Sequence, residues 1–368
     1  MTTTTEALWA KCLGVLAKET GIAVEDIDEQ DDFAGDLGIN PIVARSIRAD
    51  MESILKTAMP ATIFNEHPTV GAFHRHLQFI TARAPEAAAR DSRLPLSIVL
   101  QGSPLTCAKT IFLLPDGSGS GMAYASIPPI SESTCLVAMN SPYLDRASDY
   151  TCSIEEIAGR WIDEIRQRQP RGPYILGGWS AGGYYSYEVA NTLIRAGERV
   201  SALVLLDSPC RPDFEALPME VVEYLSRNGL MGSFGIKGAP AWVVEHFQST
   251  IRGVREYVPV PMDADDMPEV YIIWARDGVL PGNELEQTGL DLKVKVSRFL
   301  LEGKPEYGPQ GWERLFPGGR LQLATISGNH FTLIHRPYIN EIAVLLRDIV
   351  AADLERPKEN WKTVFGPR

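Results

Sequence analysis

The sequence is short of the features that most simply assign a chain to a class. It has five cysteines, an odd number, scattered from Cys12 to Cys210 with no Cys-x-x-Cys pair and no cysteine–histidine cluster. Such spacing supports neither a disulfide framework nor a zinc site, so reduced, mostly buried thiols and no metal are expected. No apolar run is long enough to cross a bilayer. The start, Thr2-Thr3-Thr4-Thr5-Glu6, lacks the basic residues and apolar stretch of a secretory leader. A cytoplasmic protein with no membrane partner is the expectation. Positive charge is also scarce: 35 Lys and Arg against 47 Asp and Glu leave a net charge of −12. That balance excludes a nucleic-acid partner or an anionic membrane surface, since phosphate binding needs clustered cations. The glycine-rich segment Leu114-Pro115-Asp116-Gly117-Ser118-Gly119-Ser120-Gly121 lacks the Gly-Lys-Ser/Thr ending of a phosphate loop. No cofactor is called for.

What is there is an ordinary globular balance, 45% apolar and 22% charged, in 368 residues. That length suggests two domains. Residues 1–81 read as a small four-helix unit. Leu8, Trp9, Cys12, Leu13 and Leu16 recur at helical spacing, a second helix runs from Pro41 to about Lys56, a short segment lies near Pro60-Ala61-Thr62, and a last helix spans Thr69 to Ile80. Up to residue 80 there are twelve acidic and six basic residues, so half of the net charge sits here. Residues 82–96, rich in Ala, Pro and Arg, read as a linker. From 97 to 355 short β-branched and leucine-rich runs alternate with amphipathic helices, which indicates a mostly parallel sheet covered on both faces. Residues 211–265 interrupt this rhythm with two helical patterns, 218–227 and 241–257, and no strand, as an inserted lid would. Residues 356–368 read as a C-terminal tail.

Within the second domain, Gly178-Trp179-Ser180-Ala181-Gly182 follows an apolar strand and opens a helix. This strand–turn–helix context is that of a nucleophile elbow, in which glycines two residues either side of the serine allow a strained turn that projects Oγ above the sheet. A structural glycine turn with an incidental serine would not require that context. The Ala181 amide at the helix start is a candidate oxyanion donor. Serine needs a base. His330, in Gly328-Asn329-His330-Phe331 after the last core strand, has the late position expected of it; His335 reads as a residue of the next helix's entry. Two carboxylates at strand ends, Asp207 and Asp277, could orient the imidazole, and the residues alone leave both open. The glycine-rich loop after the early strand should bring a second oxyanion donor, with Ser118 favoured and Gly117 close behind.

The stretches Leu114–Ser120, Gly177–Gly183 and Leu205-Leu206-Asp207-Ser208-Pro209, with Gly328-Asn329-His330-Phe331, resemble the C-terminal thioesterase domain of fungal non-reducing polyketide synthases. The resemblance covers about residues 97–355. It implies an α/β-hydrolase fold with a helical lid and, since the family's acid follows the earlier strand, favours Asp207 over Asp277. The first 80 residues resemble the acyl carrier domain that precedes such a thioesterase. Carriers hold phosphopantetheine on the serine of Gly-x-Asp-Ser-Leu; here the stretch reads Gly38-Ile39-Asn40-Pro41-Ile42, and proline has no hydroxyl. Asn40 and Pro41 still suit a helix start. Ser46, a turn further on, is not in a loading motif. A pseudo-carrier with its shape kept and its chemistry absent is expected.

The resemblance therefore implies a serine hydrolase that takes aromatic polyketides in trans, as thioesters on the carrier of another polyketide synthase or as free aryl esters such as depsides. Two alternatives remain at this point. The same triad could direct an internal carbon nucleophile in a Claisen-type cyclisation, or the chain could be a non-catalytic module that mimics a carrier.

Overall fold

A computed structural model describes residues 4–55, 59–60, 62–81, 94–231, 240–263, 267–280, 282–303, 307–351 and 360–367. The chain divides into two compact units, Met1–Arg93 with Ser226–Pro240, and Leu94–Leu225 with Ala241–Arg368. The expected linker lies largely outside the described residues, at 82–93.

The small unit holds α1 (Thr4–Thr20), α2 (Pro41–Leu55), α3 (Ile63–Glu66) and α4 (Val70–Thr81). Its core joins Cys12 and Leu16 of α1 to Ile47 and Met51 of α2 and to Phe73 and Leu77 of α4. Phe33 caps this cluster edge-on to Phe64, with ring centroids 4.8 Å apart. The start of α2 is built as its sequence suggests. The Asn40 side-chain oxygen accepts from the amides of Ile42 and Val43 at 2.8 and 3.0 Å. Pro41 occupies the first helical position, where the missing N–H costs no bond.

The large unit is an eight-stranded sheet. Its strands are β1 (Ser97–Gln101), β2 (Lys109–Leu114), β3 (Thr134–Met139), β4 (Tyr174–Trp179), β5 (Val200–Leu206), β6 (Glu269–Ala275), β7 (Arg320–Ile326) and β8 (Lys362–Phe365), in the order β1-β3-β2-β4-β5-β6-β7-β8. β2 through β7 are parallel, and the two edge strands β1 and β8 are antiparallel to their neighbours. β3 and β4 are buried along their whole length, as strands covered on both faces must be. α5 (Ile154–Arg168) and α6 (Ala181–Arg195) share one core with the sheet: Trp161, Tyr185 and Val189 pack with Phe112, Val137, Leu176 and Leu205. α10 (Ile339–Val350) buries Ile342, Leu346 and Ile349.

Residues 211–263 contain α7 (Met219–Arg227) and α8 (Ala241–Glu256) and, among the described residues, no strand. Two elements were not read from sequence. α9 (Lys295–Leu301) lies between β6 and β7. The expected tail is corrected: 356–368 contains β8, paired to β7 from Leu323↔Lys362 to Arg320↔Phe365. Lys-Thr-Val-Phe is too short and too exposed to show a strand period, and its pairing partner is distant in sequence. The five cysteines are free thiols, with Cys12, Cys135 and Cys210 buried. No described helix is long and apolar enough to cross a membrane.

Candidate active site

Ser180 stands where β4 turns into α6, with φ 57° and ψ −121°. This backbone region is costly for a residue with a side chain, and its neighbours make it reachable. A Cβ at Gly178 would come within 2.3 Å of the Gly182 carbonyl oxygen, and one at Gly182 within 2.6 Å of that of Leu114. The Ser180 amide donates to the Leu206 carbonyl at 3.0 Å. The turn is also fixed from the side: the buried Tyr124 hydroxyl accepts from the Trp179 amide at 2.8 Å and donates to the Leu114 carbonyl at 2.6 Å. Sequence reasoning missed Tyr124, since one tyrosine after a glycine-rich loop carries no distinguishing signal.

The order of the sheet brings Ser180, Asp207 and His330 together at the carboxyl ends of β4, β5 and β7. His330 Nε2 lies 3.0 Å from Ser180 Oγ, and its Nδ1 lies 2.8 Å from Asp207 Oδ2. Asp207 is fully buried, and its other oxygen accepts from the Ala275 amide at 3.0 Å. A carboxylate so held fixes the imidazole with its proton on Nδ1 and leaves Nε2 to face the hydroxyl. Asp277 is placed elsewhere. It is exposed, and its carboxylate accepts from the Gly328 amide at 3.0 Å, tying the loops after β6 and β7 together. His335 lies beyond, where its carbonyl accepts from the Ile339 amide at 2.9 Å. Burial lowers its imidazole pKa.

The expected oxyanion donors separate. Ala181 is the first residue of α6, so its amide has no intrahelical acceptor, and it lines the cavity beside Ser180. Ser118 does not line it. Its hydroxyl donates to Asp116 Oδ1 at 2.6 Å, and its amide is turned to the same carboxyl. Gly117, one residue earlier, is on the cavity wall with Ser180 and His330. The structure thus places Gly117, and not Ser118, on the cavity wall beside Ser180. Sequence could not separate neighbours in a loop whose peptide orientations are set by a distant helix and a buried carboxyl. Asp116 is itself fully buried, which pushes its pKa up to about 6 against the opposing hydrogen bonds from Ser118.

A cavity of about 560 Å³, part of it open to solvent, runs from this point. Its walls are largely apolar: Tyr184 from α6, Phe247, Ile251 and Val254 from α8, and Phe299 and Leu300 from α9. α8, from the inserted segment, thus lines the cavity, and α9 adds a wall that the sequence did not announce. No group of three or more His, Cys, Asp or Glu among the described residues could hold a metal ion.

Two family models match the chain: "Thioesterase domain" over residues 109–220 and "Phosphopantetheine attachment site" over 12–77. The chain is a carrier-type unit joined to a thioesterase domain. The large unit has the α/β-hydrolase fold, with the parallel strands β2 to β7 at its centre. The chain is similar to "Non-reducing polyketide synthase terA" of Aspergillus terreus, at 35% identity over 92% of this chain and 18% of that protein. It is also similar to "Conidial pigment polyketide synthase alb1" of Aspergillus fumigatus, at 33% identity over 89% of this chain and 16% of that protein. The chain thus spans less than a fifth of the length of either relative. Among solved structures, a four-domain nonribosomal peptide synthetase described as "holo-AB3403 … bound to AMP and Glycine" matches with a TM-score of 0.57 at 16% identity, covering 95% of this chain and 26% of that one; this likeness speaks for the fold alone. The prosthetic group named by the carrier family does not fit the residues present. At the start of α2, where the resemblance places the loading serine, Pro41 offers no hydroxyl for a phosphodiester.

Proposed function

We propose that the chain is a serine thioesterase that releases aromatic polyketide acyl groups brought to it from outside, as thioesters on another protein's carrier or as free aryl esters. One observation carries the reading: the unbroken line from Ser180 Oγ through the His330 ring to the buried Asp207 carboxylate, at 3.0 and 2.8 Å, opening on an apolar cavity. His330 Nε2 takes the Ser180 proton as Oγ attacks the acyl carbon. The amides of Ala181 and Gly117 receive the oxyanion. The departing thiolate or phenolate takes the proton back from His330. Water, deprotonated by the same nitrogen, then attacks the acyl-serine and frees a carboxylic acid and Ser180. The side chains of α8 and α9 suit an aryl group and keep bulk water from the intermediate. Delivery from outside is supported by Pro41, because the small unit has the carrier shape and lacks the attachment atom, which makes it a pseudo-carrier.

The test is turnover of a panel of aryl esters and aryl N-acetylcysteamine thioesters by the full chain, read by mass spectrometry. Hydrolysis adds one water to the acyl product, whereas Claisen-type closure expels the thiol without adding water. Ser180→Ala should lower turnover by about 10⁴-fold or more and abolish labelling by an aryl fluorophosphonate. Undiminished turnover by this variant would refute the reading.

A further inference from the structure

Helix α8 does more than roof the cavity: it reaches the loop that carries the second oxyanion donor. His246 is buried, at 1% exposure, and its Nδ1 lies 3.0 Å from the Gly117 carbonyl oxygen. A carbonyl can only accept, so Nδ1 bears the proton. One turn along α8, the Thr250 hydroxyl donates to the same carbonyl at 3.3 Å. That hydroxyl is held in turn by Tyr185, which accepts from Tyr150, each step at 3.3 Å. The fit around the loop is equally close. A Cβ at Gly117 would meet the Phe247 ring at 2.4 Å, and one at Gly119 would meet the His246 ring at 2.3 Å. The preceding peptide is fixed as well, since the Asp116 carbonyl accepts from the Gly119 amide at 2.9 Å.

Gly117 is thus a residue with wide backbone freedom set between two carbonyls that are both held. The Asp116 carbonyl shares a peptide plane with the Gly117 amide and sets its direction, and the held Gly117 carbonyl keeps the next peptide, and with it the turn, from flipping. An oxyanion donor has to be in place before charge develops, because reorganising it during the reaction forfeits its effect. A glycine amide left to itself would not meet that requirement.

We infer that His246 is a positioning residue of the thioesterase site: with Thr250 it grips the Gly117 carbonyl, locks the central Gly117–Ser118 peptide of the turn closed by the Gly119 amide and the Asp116 carbonyl, and so keeps the Gly117 amide in place for the oxyanion, making the seating of α8 part of the catalytic apparatus. The inference rests on the serine mechanism above. It assigns His246 no contact with substrate and no proton transfer. Its effect belongs to the transition state, so it appears in kcat and in binding of a tetrahedral adduct rather than in KM.

The test uses the full chain with His246→Phe, which keeps an aromatic ring over Gly119 and removes the donor, and His246→Asn, whose side-chain amide can donate from near the Nδ1 position. Substrates are an aryl N-acetylcysteamine thioester and a 4-nitrophenyl aryl ester. The oxyanion probe is an aryl trifluoromethyl ketone, which forms a hemiketal on serine. Removing one oxyanion donor costs about 10²–10³-fold, so His246→Phe should lower kcat by about 10²-fold, leave KM within about 3-fold, and weaken the ketone by the same factor as kcat. His246→Asn should recover most of both. Unchanged kcat in His246→Phe overturns the inference, as does a kcat loss at preserved melting temperature without a matching loss of ketone affinity. If His246→Phe does not fold, Thr250→Val decides by the same pattern, expected at about 10-fold, and equal ketone affinity there overturns the inference. Failure of the serine mechanism itself looks different: the wild-type chain would neither turn over the esters nor bind the ketone.

Discussion

Asp207 and Asp277 end neighbouring strands, and their roles differ because of what their carboxylates touch. Asp207 is fully buried with one oxygen on His330 and the other on the Ala275 amide. Asp277 is exposed and serves a loop amide. Asp207→Asn should lower kcat by about 10⁴-fold, because the amide favours the wrong imidazole tautomer, while Asp277→Asn should stay within about 3-fold; steady-state rates on one aryl ester decide, and equal losses would reassign the acid. Asp116 gives a second residue-scale expectation. Burial raises its folded pKa to about 6 from 3.8. A raised pKa means that the fold favours the neutral carboxyl. Its stabilising contribution is therefore complete below about pH 4 and lost as pH rises through about 6, on the order of 3 kcal/mol in all. Urea midpoints of the wild type should fall between pH 4 and 7 relative to those of Asp116→Asn, and parallel curves for the two proteins would remove Asp116 as the cause. At this scale the turn at Ser180 was readable because its signal is local, five residues with glycines at both flanks. The pairing of His330 with Asp207 rather than Asp277 was not, because Asp207 and Ser180, 123 and 150 positions from His330, meet it only through the sheet order. That Gly117 rather than Ser118 lines the cavity depends on the buried Asp116 carboxyl and on α8, neither of which has a local signature.

Elements were readable where their period is long or their burial continuous. β2 to β7 stand out as apolar runs, and α5, α6 and α10 as amphipathic repeats, because both faces of the parallel sheet must be covered. β8 escaped: it is four residues long, three of them exposed, and only its pairing with β7 makes it a strand. Its attachment is carried from the adjoining residue. Trp361 is 9% exposed and packs edge-on to Tyr271 of β6 at 5.0 Å. Trp361→Ala should therefore cost about 3 kcal/mol of stability, in the range of large-to-alanine core changes, with kcat on an aryl ester unchanged, because β8 pairs at the sheet edge and its residues do not line the cavity. A urea midpoint equal to that of the wild type would mean that β8 is held by its backbone ladder alone.

At the scale of the whole molecule, the two units keep the order of a loaded carrier followed by a release domain, and a single side chain changes what that order can do. A carrier bearing its own acyl group would present it to the attached thioesterase at an effective concentration near millimolar. The rate would then be independent of any carrier in solution. With Pro41 heading α2, no ester can form at that position, and the next hydroxyl in the helix is that of Ser46, a full turn further on. The full chain incubated with coenzyme A and a broad-specificity phosphopantetheinyl transferase should therefore keep its intact mass. Its hydrolysis of an aryl thioester on a separate carrier protein should rise with that carrier's concentration and saturate, as a bimolecular encounter does. A gain of one phosphopantetheine in the intact mass, mapped to Ser46 by peptide analysis, would instead make the small unit a working carrier with a displaced arm. Hydrolysis should then follow first-order kinetics unaffected by dilution, and delivery from outside would be refuted.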